Sequence, residues 1–580
     1  TILNEVNGGS PSQLRGYTEV AGQSAHVIVA NPYGITCNGC GFINTPQATL
    51  TTGKPIVENG QVSRYQVDQG SVTVEGAGLN ANNVDRFEII TRSARINAEI
   101  QARNLTIVAG RNDVDASTLK ATARADDGSA KPQLAIDSSA LGGMYAGAIK
   151  LVGTEAGVGV KLDGKLIASG GDIQLDANGH LSLADTSASG AVTAKAASAN
   201  VQGAVYAASV NVQTSGALDV QQNIAARDQI SLSSGGQLTN NGVIEAGVNA
   251  DSSRNATGDV SLTAQNLNNS GKSVIASRNL TANVAQTLNN QGGTLSAGQA
   301  GTVKAGTLDN RSSGRVLSSN TLSVSADTLL NTQGTVSSNG NLTATVGQLN
   351  NHDGLLSAVG PVHLETTGVD NSGGRISSKA DLTANVAELT NQGGELVAQG
   401  LLTVSGQSLD NRNGGLVGAT NALTLNVDAV DNRGGEISSS LGIDIDGQRL
   451  NNSDNGKVLA GTDLGLKVAE IINQTQGLLF STGASTVTGQ RLDNSSGSLV
   501  ARQGLDIRLD NALTNVAGLI SSEGTLTANA GSLDNTQGSV SSGGALSLTL
   551  GNALLNQGGE IVTDAGLTVK SASLDNRNNG

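Results

Sequence analysis

The sequence predicts an all-β chain wound as a right-handed parallel β-helix, a β-solenoid with turns of about 20–21 residues. Three observations carry that expectation. The first is periodic: between Asn269 and Asn576 an asparagine recurs every 20 or 21 residues, sixteen times without a miss. Asn269, Asn290, Asn310, Asn331, Asn351, Asn371, Asn391 and Asn411 open the series, which runs on to Asn576. Each has Leu, Val or Ile two residues before it and Gly two to four residues after it. Such regularity means one supersecondary unit stacked many times. The second observation is alternation within each repeat, and the third is a composition suited to a thin core.

One repeat shows the alternation. In Gly374–Asn391, Leu382, Ala384 and Val386 alternate with Thr383 and Asn385, the period-two pattern of a strand with one buried face. Ile376 and Leu389 anchor two shorter strands, and Asn391 with Gly393 and Gly394 makes the corner. Asn and Gly both accept left-handed backbone angles, and Asn can hydrogen-bond its own turn. No segment carries a helical stripe long enough to supply a helix per repeat. Two or three short strands per turn therefore stack in parallel, and the handedness of parallel crossovers favours a right-handed coil. Identical side chains would then lie ~4.8 Å apart, so the asparagines are expected to form an amide ladder.

The composition fits. There is no Trp, one Met, three Phe and five Tyr, against 77 Gly. A large globular core would use more aromatics, whereas a bore filled turn by turn with Leu, Val, Ile and Ala needs none. Disorder is disfavoured because charged residues are 14% of the chain and the apolar ones are periodic. A leucine-rich repeat has a similar period, but its Asn stands differently to its leucines and its turns have helical backs. The calcium-binding nonapeptide is absent, and Asp309, Asp410 and Asp493, each preceding a corner Asn, are expected to be solvated.

The organisation is asymmetric. Six of the eight aromatics lie in the first 145 residues, five of the six prolines in the first 132, and both cysteines there too. The expected division is 1–175 as an irregular head, 176–265 as loose repeats and 266–580 as tight ones. The chain begins at Thr1 without a signal segment and stops just after a repeat, which predicts a piece of a longer protein.

The net charge is −14, without a basic block, which argues against nucleic acid as a partner. No apolar run reaches the ~20 residues that span a bilayer. Cys37-Asn-Gly-Cys40 is the only cysteine pair, and a C-x-x-C is a redox centre, half a zinc site or a small disulfide. Zinc needs about four ligands, and His26, His180, His352 and His363 are scattered; no metal and no cofactor is expected. A structural Cys37–Cys40 disulfide, tying the loop that lies between Pro32 and Pro46, is the favoured reading, with two adjacent reduced thiols as the alternative where no oxidising compartment is met. Gly159–Lys165 and Gly271-Lys272-Ser273 resemble phosphate loops only in part, which a glycine-rich chain produces by chance. Carboxylates are dilute and out of register between repeats, so a polysaccharide-cleaving centre is not expected and the chain reads as no enzyme. Asn31-Pro32-Tyr33-Gly34, leading into Ile35, reads as a turn between strands.

The head also carries a resemblance. Asn4-Glu-Val, Gly16-Tyr-Thr-Glu-Val-Ala-Gly22, Val27–Asn44 with its C-N-G-C-G-F-I-N wording, Leu50–Pro55, and Leu141–Gly147 through Thr154–Val160 occur in the order found in filamentous-haemagglutinin-type exoproteins. Residues 1 to about 175 resemble the secretion domain of that family, and the later repeats look like haemagglutinin repeats. The Cys pair and its surroundings look closest to contact-dependent growth inhibition exoproteins. The resemblance implies a β-helix exported through the periplasm by two-partner secretion, and a head read by the periplasmic domains of an outer-membrane partner transporter. The family's N-P-N-G motif maps onto Asn31, Pro32, Tyr33 and Gly34, with Tyr33 departing at the third position. Its N-P-N-L motif would lie upstream of Thr1. The implied product is a secreted or surface-displayed monomeric rod that presents a C-terminal toxin to a receptor on a neighbouring or host cell. The alternative is a filamentous adhesin.

Overall fold

The computed structural model describes all 580 residues, in seventy strands and no helix. The chain divides into two compact units, Thr1–Asn289 with Thr294–Gly298, and Asn290–Gly293 with Gln299–Gly580. Each is a parallel β-solenoid by its own register, and the sequence boundaries near residues 175 and 265 both fall inside the first.

In the second unit the repeat logic is plain. Leu322 pairs with Leu342, then Val362, Leu382, Leu402, Leu423, Ile443 and Leu464 one turn after another. Columns through Ala384, Ile376 and Leu389 run beside it, all buried. Each fully buried Leu, Ile or Val contributes roughly 1.5–3 kcal/mol, so the bore is stabilised turn by turn. The Leu column is broken at Ser485, which is 1% exposed and satisfied by the Ser481 hydroxyl at 2.8 Å. Leu389 does not anchor a strand of its own: Leu382–Thr390 is one continuous strand, and Arg375–Ser378 is the other strand of that turn.

The asparagines form the ladder. From Asn290 to Asn576 each Nδ2 donates to the Oδ1 of the asparagine one turn on, at 2.6 to 2.8 Å. Asn391 also donates from Nδ2 to the Leu416 and Gly394 carbonyls and from its backbone N–H to the Asp410 carbonyl. The first unit has its own rung, Asn240 to Asn269 at 2.8 Å.

The corner itself differs from expectation. Left-handed angles fall two residues after the asparagine, at Gln333 (φ 56°), Asp353 (φ 50°), Gly373 (φ 62°) and Gly393 (φ 60°), and not on the asparagine. The asparagine points inward and is 0% exposed at Asn391. Gly394 is needed for room, since a Cβ there would strike the Asn371 carbonyl of the preceding turn. Asp309 is likewise not solvated, being 7% exposed. Burial pushes its carboxyl up, but Arg311 and Gln291 outweigh burial and hold it low. Arg412, aided by Gln392, holds the Asp410 carboxyl below its usual range. Asp493 accepts from Gln474 and Ser495.

The first unit is looser. Ile149 pairs with Ile173, then Val192, Val210, Ile230, Val260 and Leu280, in steps of unequal length. The long step from Ile230 to Val260 contains an excursion bridged by Val248 and Arg254. The head packs Phe42, Phe87 and Tyr65 inside, with the Phe42 and Phe87 ring centroids 5.8 Å apart. It also bears an element absent from the sequence reading, a separate antiparallel sheet of Lys54–Glu58, Gln61–Gln66, Asn112–Asp115 and Ala121–Ala123. Tyr65 and Val67 from this sheet and its exit pack with Val114 on Ile28, Ile90 and Val108 of the solenoid wall. Beside them Glu88, 2% exposed, accepts from Thr49 at 2.7 Å and Gln47 at 2.9 Å, and His26 Nε2 lies 2.8 Å from the Thr49 hydroxyl. Burial pushes Glu88 up; burial, with the positive charges of the chain's amino group and Arg86, holds His26 down to about 4. Burial pushes the Tyr65 hydroxyl up to about 12, helped by the Glu88 charge.

Two predictions follow from these interiors. Asn391→Ala leaves buried amide groups unpaired at ~1–3 kcal/mol each, so the local cost should be about 2–4 kcal/mol, against under ~0.5 kcal/mol for the exposed Asn385→Ala. Native-state hydrogen exchange of Leu382–Thr390 and Leu402–Asp410 reads the difference without assuming two-state unfolding; equal responses would remove the ladder's special role. In the head, His26 binds its proton more weakly folded than unfolded, so its contribution is full above pH ~6.5 and declines as pH falls towards 4. Glu88 has the opposite sign, costing stability above its raised value and easing as pH falls through it. Thermal melts should therefore show His26→Gln flattening the acid loss and Glu88→Gln raising stability at neutral pH. If both variants track wild type at every pH, neither group is coupled to folding.

Candidate functional site

The Asn31–Ile35 segment is a turn leaving the strand Val27–Ala30 and entering Ile35–Cys37. The strand is apolar on both faces, because the antiparallel sheet covers the side that would otherwise meet solvent. Asn31 is 0% exposed and organises the turn. Its Nδ2 donates to the Ser10 carbonyl and the Ser12 hydroxyl, both at 2.9 Å, and its Oδ1 accepts from the Tyr33 N–H at 2.9 Å. Its backbone N–H donates to Thr51 and its carbonyl accepts from Gly34. Gly34 has φ 118°, which a residue with a side chain would adopt only under strain. Ile35 is buried and pairs with Ser12 on one side and Val72 on the other. Of the five residues only Tyr33 is exposed, at 49%. The motif is thus a scaffold that holds one aromatic side chain outward.

Cys37 and Cys40 are disulfide-bonded across the Asn38–Gly39 turn, with Cα atoms 5.4 Å apart and both residues buried. Cys37 Sγ lies 3.4 Å from the Gly78 carbonyl, and Asn38 Oδ1 accepts from Ala77 N–H at 3.1 Å. The bridge therefore sits where one turn locks on the next. Sequence reading missed Tyr17, which is 63% exposed and lies so close over Gly41 that a Cβ there would strike its ring. The Gly16-Tyr17 pair signalled a motif, but only the register of Tyr17 on Gly41 shows why the facing residue is glycine.

The histidines remain apart: His180 meets Ser198, His352 meets Asp353 and His363 meets Glu365. No group of three or more His, Cys, Asp or Glu side chains is placed to hold a metal ion, and no helix is long and apolar enough to cross a membrane.

The TPS secretion domain family matches residues 1–183. The haemagglutinin repeat family matches 168–242, 245–292, 256–346, 339–409, 397–468, 464–516, 505–558 and 548–580. The 16S rRNA endonuclease CdiA of Enterobacter cloacae subsp. cloacae is 40% identical over 381 residues, 63% of this chain and 11% of that protein. The tRNA nuclease CdiA of Escherichia coli (strain NC101) is 52% identical over 195 residues, 33% of this chain and 6% of that one. Toxin CdiA of Yersinia pestis is 52% identical over 180 residues, 31% and 6% respectively. The chain thus spans between 6% and 11% of the length of these relatives. A crystal structure of a filamentous haemagglutinin secretion domain shares 32% identity, covers 37% of this chain and 71% of that one, and has a TM-score of 0.31. The fold assignment rests on the strand register, and with both family matches in place the chain belongs to the filamentous haemagglutinin-type exoproteins of two-partner secretion, which pass through the periplasm to the Gram-negative cell surface.

Proposed function

We propose that residues 1–183 are the export signal read by an outer-membrane partner transporter, that the Asn31–Ile35 turn is its recognition element, and that the repeats carry a distal toxic segment towards a neighbouring cell. The observation that supports the first part is the division of labour inside the turn. Asn31 turns both side-chain N–H groups and its amide oxygen to the fold while Tyr33 is left outward, an arrangement suited to display. The toxic segment is favoured over plain attachment because similar proteins are named as nucleases or toxins. The solenoid itself supplies structure: its inward positions are filled and its corner carboxylates are already engaged by Arg and Gln.

Secretion assays with the partner transporter present separate these roles. Removing residues 1–183 should abolish surface appearance; undiminished export of the remainder would sink the signal. Tyr33→Ala should leave the melting temperature unchanged and cut secretion several-fold, whereas Asn31→Ala should lower both. Normal secretion of Tyr33→Ala makes the turn structural only. Contact co-culture with cells displaying the whole protein should inhibit a sensitive neighbour, and separation by a filter should relieve it; binding without inhibition would favour the adhesin. For the disulfide, the loop closed between Cys37 and Cys40 is very short, so its loss by Cys37→Ser with Cys40→Ser should cost only ~2 kcal/mol by loop-closure entropy. Thermal melts of that double variant with and without reductant check the figure, and loss of all head structure would refute it.

A further inference from the structure

The antiparallel sheet on the head is joined to the solenoid differently from everything else in that unit. Its strands pair only with one another. What holds it down is side-chain contact: Tyr65, Val67 and Val114 lie on Ile28, Ile90 and Val108, Arg92 reaches across to the segments that leave the sheet, and Arg111 and Arg124 tie the segments entering and leaving it to one another. Arg92 donates to Glu155 at 3.1 and 3.3 Å, to the Asp68 carbonyl at 3.1 Å and to the Ser129 hydroxyl at 2.8 Å. Arg111 pairs with Asp68 and Asp127, and Arg124 with Asp68 and Asp113. Segments joined without a shared backbone ladder open at lower free energy than the ladder itself.

The chain crosses between solenoid and sheet four times, and each crossing contains a glycine: Gly53, Gly70, Gly110 and Gly128. Hinges absorb backbone change at a few such positions. Gly70 has φ 85° and sits against the Pro32 carbonyl and Thr52, so a Cβ there would collide with both. The Asn31–Gly34 turn therefore lies between two crossings, bonded to Thr51 at the end of the solenoid strand that feeds the first and packed on the second through Gly70.

We propose that this four-stranded sheet is a hinged lid, which lifts off the Ile28–Ile90–Val108 strip as a unit while the solenoid stays paired, and whose position sets the Asn31–Gly34 turn through Gly70. The functional half of this inference rests on the reading of that turn as the transporter's recognition element. Closure holds Pro32 against Gly70 and fixes the direction in which Tyr33 is displayed; opening withdraws that support. The head then has two states that differ in what it presents, with no change in the repeats.

Hydrogen exchange on the full chain tests it, comparing wild type with Arg92→Gln and Asp68→Asn, each at ~0.1 and ~1 M salt, where the exposed pairs are progressively screened. Amides of residues 54–66 and 112–123 should exchange at least about tenfold faster in the variants, while those of 27–30, 86–91 and 104–109 hold their rates. Equal acceleration in both sets overturns the lid, because the head would then open as one body. Unchanged exchange in both variants overturns it too. Should Arg92→Gln fail to fold, Asp68→Asn and the salt series on wild type decide. Because the chain contains no Trp, Tyr33→Trp provides a single reporter. Its emission should shift with Asp68→Asn, and a fixed emission alongside faster lid exchange refutes the link to the turn. Failure of the recognition reading is visible separately, as normal secretion of Tyr33→Ala with the lid behaviour intact.

Discussion

The whole chain depends on one constraint: in a parallel solenoid every inward residue must tolerate its counterpart one turn away, at the strand spacing of ~4.8 Å. Leucine, valine and alanine satisfy it by packing. A carboxylate would not, because stacked like charges repel and burial raises their cost. The primary amide is the polar group that does, carrying donors and an acceptor on one planar head. This is why the recurrent polar position is Asn at Asn290, Asn310 and onwards, and why every one of those amides finds the next. Aspartate appears one position earlier, at Asp309 and Asp410, where the side chain meets an Arg or Gln.

Where columns cannot be kept uniform, the chain uses other means. The head turns have unequal lengths, so the interior is filled by Phe42, Phe87 and Met144, a disulfide ties Cys37 to Cys40, and an extra sheet covers an apolar wall. The concentration of aromatics, prolines and cysteines before residue 146 is the compositional trace of that irregularity. A uniform array can be extended by repeating itself; a specific surface needs departures from uniformity, and the head is where they lie.

This explains what was legible in the sequence. The period, the inward columns and the amide ladder could be read because each rests on repetition, and sixteen copies average out local noise. The left-handed corner was legible at Gly393 but was extended wrongly to Asn391, because propensity alone cannot separate a residue chosen for its φ from one chosen for its side chain; the burial of Asn391 does. The antiparallel sheet was not legible, since Lys54–Glu58 and Asn112–Asp115 are far apart in sequence and pair only through Gln61–Gln66. Nor was the exposure pattern of the Asn31–Ile35 turn: a motif names residues, and only packing shows that Asn31 faces in and Tyr33 faces out.

The ladder is also directional. Each Nδ2 donates towards the C-terminal neighbour and each Oδ1 accepts from the N-terminal one, as Asn371 to Asn391 and Asn391 to Asn411 show. A missing rung therefore injures its two neighbours unequally. Loss of Asn391, for example, leaves Asn371 with only the Glu395 carbonyl for its two buried N–H groups, while Asn411 keeps an oxygen short of a donor. Buried N–H groups tolerate isolation less well than carbonyl oxygens. Damage at that rung thus falls mainly on the turn nearer the head, and each turn depends for its full set of bonds on the turn that follows it.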